Sequence, residues 1–199
     1  MRIGLFFGSF NPIHLGHTAL AEYLLAHTDL EQIWLVLSPN NPLKDPGTLM
    51  PEELRYDLAT VALRHHPDIL PCDREFSLPK PSYTVNTLRA LSEEHPEHRF
   101  TLIIGSDNMA RFDRWREWEY IVAHYPILVY PRQGDNIPEL QRRFPTMQVI
   151  DAPLLNVSAT DIRHRLQHGL PTDTLLDPEV EKLLKTRRSF LSSTIDGSR

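Results

Sequence analysis

The chain has 199 residues and a mass of 23.0 kDa, which fits one domain with a sizeable core. Hydrophobic residues make up 41% and charged residues 24%, a balance that excludes a wholly disordered or fibrous chain. A formal net charge of -5 supplies no basic field, so no nucleic-acid partner is expected, while small anions stay open as ligands. Cys72 is the only cysteine, which rules out an intrachain disulfide, suits a reducing compartment and points to the cytoplasm. The apolar opening from Met1 to Phe7 is too short for a secretory leader, and no stretch approaches about 18 uninterrupted apolar residues, so no membrane partner is expected.

Ile3 to Phe7 reads as a buried strand, and Leu15 to Leu25 follows with apolar residues at helical spacing. A strand at Ile33 to Leu37 leads into a proline-rich loop from Pro39 to Pro51, then a helix over Glu52 to Arg64. A second proline-rich loop, Leu78 to Pro81, precedes a helix over Thr84 to Ser92. Strands are expected at Phe100 to Ile104, Ile127 to Tyr130 and Met147 to Ile150, and a final helix at Ala159 to Leu166. Strands alternating with helices predict an α/β fold with a mostly parallel sheet. No repeat or linker divides the chain, so residues 1–188 form one domain, and the polar stretch Ser189 to Arg199 reads as a flexible tail.

The first strand ends in Gly8-Ser9-Phe10-Asn11-Pro12-Ile13-His14-Leu15-Gly16-His17 and turns at once into a helix. In a parallel sheet, a strand's carboxyl end facing a helix N-terminus gathers unpaired N–H groups and the helix dipole, which suits phosphate. Gly8 would let the backbone approach phosphate closely. His14 and His17, three apart, would share a helical face and aim two donors at one polyphosphate. The alternative for an isolated H-x-x-H is one helix cap and one surface histidine. A zinc pair is a third option, weakened by the lack of a cysteine or carboxylate at ligand spacing.

This segment resembles the G-x-F-x-P-x-H-x-G-H signature of the nucleotidyltransferase superfamily that includes nicotinate-nucleotide adenylyltransferases. Val157-Ser158-Ala159-Thr160-Asp161-Ile162-Arg163 is similar to the family's I-S-[ST/A]-T-x-I-R signature, which opens a helix against the ATP phosphates. Ser158 fits an N-cap and Arg163 a permanent cation for phosphate. Ser82-Tyr83-Thr84-Val85-Asn86-Thr87-Leu88 resembles the S-Y-T-x-x-T-L stretch of the nicotinate-nucleotide branch. Gly105-Ser106-Asp107 through Trp115-Arg116-Glu117-Trp118 resembles its G-x-D…W-x-x-W stretch. The resemblance implies a Rossmann-like open sheet with helices on both faces. It implies ATP contacts from Gly8, Ser9, Phe10, Gly16, Gly105, Asp107, Ser158 and Thr160.

For the acceptor, the resemblance implies that Trp115 stacks on a pyridine ring and that Thr84 and Arg116 meet the ring carboxylate. Arg132 is a candidate for the mononucleotide phosphate. Trp115 is expected to face ligand and Trp118 to be core; otherwise both lie on one apolar helical face. The resemblance implies that Asp107 contacts the adenosine ribose or the metal-bound phosphates; a helix N-cap is the competing explanation, and both can hold. Lys44 matches a P-H-K loop motif, with Leu43 standing where the family has histidine.

The implied reaction is attack by a mononucleotide phosphate oxygen on the α-phosphorus of ATP, expelling pyrophosphate. His14, His17, Lys44 and Arg163 would neutralise the developing charge. Mg²⁺ is expected on the ATP phosphates and water, with no protein carboxylate cage and no protein metal ligand. The expected substrates are ATP and nicotinate mononucleotide; homo-oligomerisation is left open. The competing functions are transfer to nicotinamide mononucleotide or phosphopantetheine, or a non-catalytic nucleotide sensor on the same fold. Class I aminoacyl-tRNA synthetases share the H-x-G-H loop, but this chain is short and acidic and lacks a K-M-S-K-S-like loop.

Overall fold

The computed structural model describes residues 1–39, 49–153 and 157–187. Six strands form one sheet: β1 (Arg2–Gly8), β2 (Gln32–Leu37), β3 (Ile69–Cys72), β4 (Arg99–Gly105), β5 (Ile127–Tyr130) and β6 (Gln148–Val149). Their order is β3-β2-β1-β4-β5-β6, and every pairing is parallel. The sheet is thus parallel throughout the described residues. Eight helices accompany it there: α1 (Leu15–His27), α2 (Glu52–Leu63), α3 (Thr84–Glu94), α4 (Ser106–Met109), α5 (Trp118–His124), α6 (Ile137–Arg143), α7 (Ala159–His168) and α8 (Pro178–Thr186).

The inner strands are covered on both faces, which is why they read as continuous apolar runs. Side chains alternate across β1: Ile3 and Leu5 enter one core, and Phe6 enters the other. Leu24 of α1, Leu58 of α2 and Val180 of α8 bury with Phe6 and Leu35 on one face. On the opposite face Leu88 of α3, Ile121 of α5 and Leu140 of α6 bury with Leu5 and Leu102. Helices therefore cover both faces, as the sequence leads one to expect.

Two strands depart from expectation. The edge strand β3 has no counterpart in the sequence-based assignment because Pro71 interrupts it, and β6 holds only Gln148–Val149 of the expected Met147 to Ile150. The short helices α4, α5 and α6 escape a periodicity test because each spans two turns or fewer. Among the described residues, no helix is long and apolar enough to cross a membrane.

Candidate active site

The strand order reverses between β1 and β4, because the chain leaves β1 toward β2 and only later returns to β1's other side at β4. Crossover helices leave the sheet in opposite directions at such a point, opening a crevice at the strands' carboxyl ends. A cleft of about 660 Å³ lies there, lined by Gly8 to Asn11, His14, Gly16 and His17 on the β1 side. Asp107 and Arg132 face it from the β4 and β5 side, and Ser158, Thr160 and Arg163 from α7.

The turn after β1 is shaped by Phe10, which adopts a left-handed backbone (φ 42°) and is 2% exposed. Its ring packs edge-on to Phe6 at 5.7 Å and to His17 at 4.9 Å. A Cβ at Gly8 would stand 2.9 Å from Phe10 Cζ. The bare glycine thus makes room for that ring, a different requirement from the close approach to phosphate expected from sequence.

His14 lies outside the helical face proposed for the pair. It is the extended N-cap of α1 (φ -147°), and His17 occupies the first turn. The rings still meet, stacked at 3.6 Å between centroids. The His14 backbone N–H donates to His17 Nδ1 at 3.2 Å. In neutral His17 the proton is therefore on Nε2, which makes that atom a donor. Cap and site residue are one and the same here.

His14 is 7% exposed, and its Nδ1 is buried without a hydrogen-bond partner. Burial first, then the charge of Arg132, lowers its pKa to about 4. Near pH 7 His14 is therefore a neutral imidazole. In the unfolded chain its ordinary value is 6.5, so below that pH the unfolded state takes up a proton that the native state refuses. Stability should fall between pH 6.5 and 4 by about 3 kcal/mol from this residue, and level off below. Urea unfolding of the wild type and of His14→Gln at pH 7 and 4.5 checks this, with the variant expected to lose less stability on acidification.

Gly16 is held to glycine by the same ring. A Cβ there would stand 3.0 Å from His14 Nδ1 and 3.2 Å from Val157 Cβ. Gly16→Ala should leave stability nearly unchanged, because helix propensity gains up to about 1 kcal/mol while the crowding costs a similar amount. Turnover should fall at least about tenfold, because small displacements of reacting groups are expensive. Thermal unfolding and steady-state kinetics on the same sample separate the two effects.

The α7 signature is clipped onto the first. Ser158 Oγ accepts from Thr160 N at 3.2 Å and Asp161 N at 3.5 Å, which caps the helix. Arg163 Nη1 donates to the Asn11 carbonyl at 2.9 Å and Nη2 to Thr160 Oγ1 at 3.1 Å. On the β4 side Gly105 is the N-cap of α4, and Asp107 sits in the first turn, so Asp107 is not the cap. A Cβ on Gly105 would collide with Asp107 Oδ1. Arg132 Nε stands 3.8 Å from that oxygen, and its Nη2 donates to Tyr130 Oη at 3.3 Å.

Thr84, Trp115 and Arg116 do not line this cleft. Thr84 opens α3, and the Arg116 guanidinium lies over the ring of the preceding Tyr83 at 4.8 Å. Arg89 of α3 grips Glu117 through both oxygens, at 3.2 and 2.6 Å. The two middle segments are thereby brought together. The tryptophans do not share a helical face: Trp115 ends the 3-10 turn Phe112–Arg114, Glu117 is left-handed (φ 51°), and α5 begins at Trp118. Both are half-buried, Trp115 against Phe112 at 5.1 Å and Trp118 against Phe144 at 5.9 Å. Lys44 and Leu43 lie outside the described residues.

Two buried charges went unnoticed in the sequence. Arg55 is 0% exposed and donates to four backbone carbonyls: Met50 at 3.0 Å, Ser9 at 2.7 Å, Ser38 at 2.8 Å and Pro39 at 3.2 Å. It joins the turn after β1 to the end of β2. Its signal was its place on the apolar stripe of α2 with Leu58, Ala59 and Ala62. Glu75 is 2% exposed, and burial raises its pKa. It accepts from Thr87 Oγ1 at 2.8 Å and Ser82 Oγ at 3.3 Å, which fixes the chain entering α3.

The cytidylyltransferase-like family model matches residues 5–165. The probable nicotinate-nucleotide adenylyltransferases of Cytophaga hutchinsonii and Bacteroides fragilis are each 44% identical to this chain. The matches cover 96% and 97% of it, and 98% and 96% of those proteins. The structure of Plasmodium falciparum nicotinic acid mononucleotide adenylyltransferase complexed with NaAD aligns with a TM-score of 0.78 at 19% identity. That alignment covers 95% of this chain and 97% of the other, a likeness of fold. With relatives this similar over nearly its whole length, the chain belongs to the nicotinate-nucleotide adenylyltransferase family of cytidylyltransferase-like proteins.

Proposed function

We propose that the chain transfers the adenylyl group of ATP to nicotinate mononucleotide, producing nicotinate adenine dinucleotide and pyrophosphate in NAD biosynthesis. The observation that carries this is the stacked His14–His17 pair, 3.6 Å apart, at a helix start within a cleft at the sheet's reversal point. The acceptor rests on the relatives, which share 44% of their residues with this chain and are named for that activity.

A phosphate oxygen of the mononucleotide attacks the α-phosphorus, and the bond to the bridging oxygen of pyrophosphate breaks. The leaving group carries the negative charge away. Catalysis here is alignment plus stabilisation of the charge on the equatorial and leaving oxygens. His17 Nε2–H and neutral His14 supply hydrogen-bond donors, Arg163 supplies a fixed cation, and Lys44 adds a second. The N–H groups opening α1 and α7 hold phosphate oxygens. Gly105 and Asp107 take the adenosine side, whereas Thr84, Trp115, Arg116 and Arg132 receive the mononucleotide.

Among the described residues Asp107 is the one carboxylate on the cleft wall, and it stands 3.8 Å from the guanidinium of Arg132. That donor set suits a metal carried by its ligand: Mg²⁺ would be held by the ATP phosphates and water, and supply charge neutralisation there. Residues 1–188 act as one domain, and the reaction belongs in the cytoplasm. The test incubates pure protein with ATP, Mg²⁺ and either nicotinate or nicotinamide mononucleotide, and follows pyrophosphate release. Faster release with nicotinate mononucleotide supports the proposal; release only with the amide form moves the acceptor, and release with neither rejects it.

A further inference from the structure

At the opposite end of the sheet from the cleft, the chain turns from α3 into β4 through His95-Pro96-Glu97-His98. β4 has seven residues, so this turn lies about 20 Å from Gly105. Three ligand atoms, one each from His95, Glu97 and His98, all fall within 4.8 Å of one another. We propose that these three side chains form a binding site for one divalent transition-metal ion of the zinc type, separate from the catalytic cleft.

The distances carry the proposal. Bonds of about 2.0–2.1 Å to imidazole nitrogen and carboxylate oxygen put neighbouring ligand atoms about 3.3 Å apart around a tetrahedral ion. His98 Nε2 and Glu97 Oε1 already stand 3.3 Å apart. His95 Nδ1 is 4.0 Å from the same oxygen, and all three ligand atoms lie within 4.8 Å of one another, so closing on the ion asks for shifts of about 0.7 to 1.5 Å. Two imidazoles and one carboxylate match zinc, cobalt or nickel rather than magnesium or calcium, which prefer oxygen, and leave one position for water.

The frame is ordered. The imidazoles are parallel to within 7° and 5.5 Å apart. The Trp34 indole meets both edge-on, at 5.2 and 6.1 Å. His98 N–H donates to the His95 carbonyl at 3.0 Å, and Arg99 N–H donates to the Met1 carbonyl at 2.8 Å, which pins the turn to the chain's start. His98 Nδ1 is buried without a partner, which leaves Nε2 to serve as the ligand atom. The other explanation is a plain ion pair between Glu97 and protonated histidine; it predicts no metal affinity.

The full-length protein, stripped with a chelator, is titrated with Zn²⁺ at pH 7.5 by calorimetry and with Co²⁺ by visible absorption. One equivalent of Zn²⁺ should bind, and Co²⁺ should give the intense absorption of four-coordinate geometry. His95→Ala combined with His98→Ala should weaken binding by about 100-fold or more, since even loss of a supporting group costs up to that factor. His14→Gln should bind as the wild type does, which separates this site from the H-x-x-H pair. Turnover in the His95/His98 variant should stay at the wild-type level, because neither residue belongs to the cleft. No binding by the wild type, or binding that survives in the double variant, overturns the proposal.

Discussion

His17→Ala should lower turnover by about 100- to 1,000-fold, the usual cost of removing one preorganised donor from a developing charge. His17 does not act as a free side chain. The His14 N–H fixes its tautomer at 3.2 Å, and the His14 and Phe10 rings hold its plane at 3.6 and 4.9 Å. Losing those ring contacts costs about 0.5–1.5 kcal/mol each, which a folded domain tolerates. The expected pattern is a collapsed kcat with a small change in KM and a thermal transition that stays cooperative. Near-normal turnover in a folded variant would remove His17 from the mechanism.

Arg55→Met should be the most destabilising single change on the α2 face, by about 3–5 kcal/mol. Methionine fills the space but withdraws the donors used by the carbonyls of Ser9, Ser38, Pro39 and Met50, all of which come from segments that bend around the arginine. Arg55→Lys should recover only a minor part, because a point ammonium cannot reproduce a planar fork reaching four acceptors. Urea denaturation of the three proteins measures both steps. A loss under about 1 kcal/mol for Arg55→Met would mean that water or backbone shifts replace the clamp.

The sequence displayed what depends on local order. β1, β2, β4 and β5 are doubly buried and therefore uniformly apolar, so they stood out, and the helices with three or more turns showed their stripes. β3 was hidden by Pro71, and α8 by its short length, although Asp177 caps it and Pro178 opens it, both available as start signals. Within the candidate site the contiguous signatures were legible because each is one strand-to-helix turn. The placement of Trp115 and Trp118 was not, because it hinges on Glu117 adopting a left-handed backbone that a glutamate rarely takes. Arg55 owes its role to partners as far as 46 residues away, at Ser9, and Glu75 to Ser82 and Thr87 across a proline-rich loop; the apolar stripe of α2 marks Arg55 as buried but does not report which groups it meets.

Pro71 has a further consequence at the sheet's border. The Asp68 carbonyl bonds to Ile33 N–H, so alternation along β3 turns Leu70 and Cys72 toward β2, and Ile69 and Pro71 outward. The outward row therefore lacks the N–H that an added strand from another molecule would need at its centre. At the far border β6 presents only Gln148–Val149, too short to template a neighbour. Among the described residues a parallel, strongly apolar sheet is thus blunted at both margins, an arrangement that disfavours edge-to-edge growth into fibres.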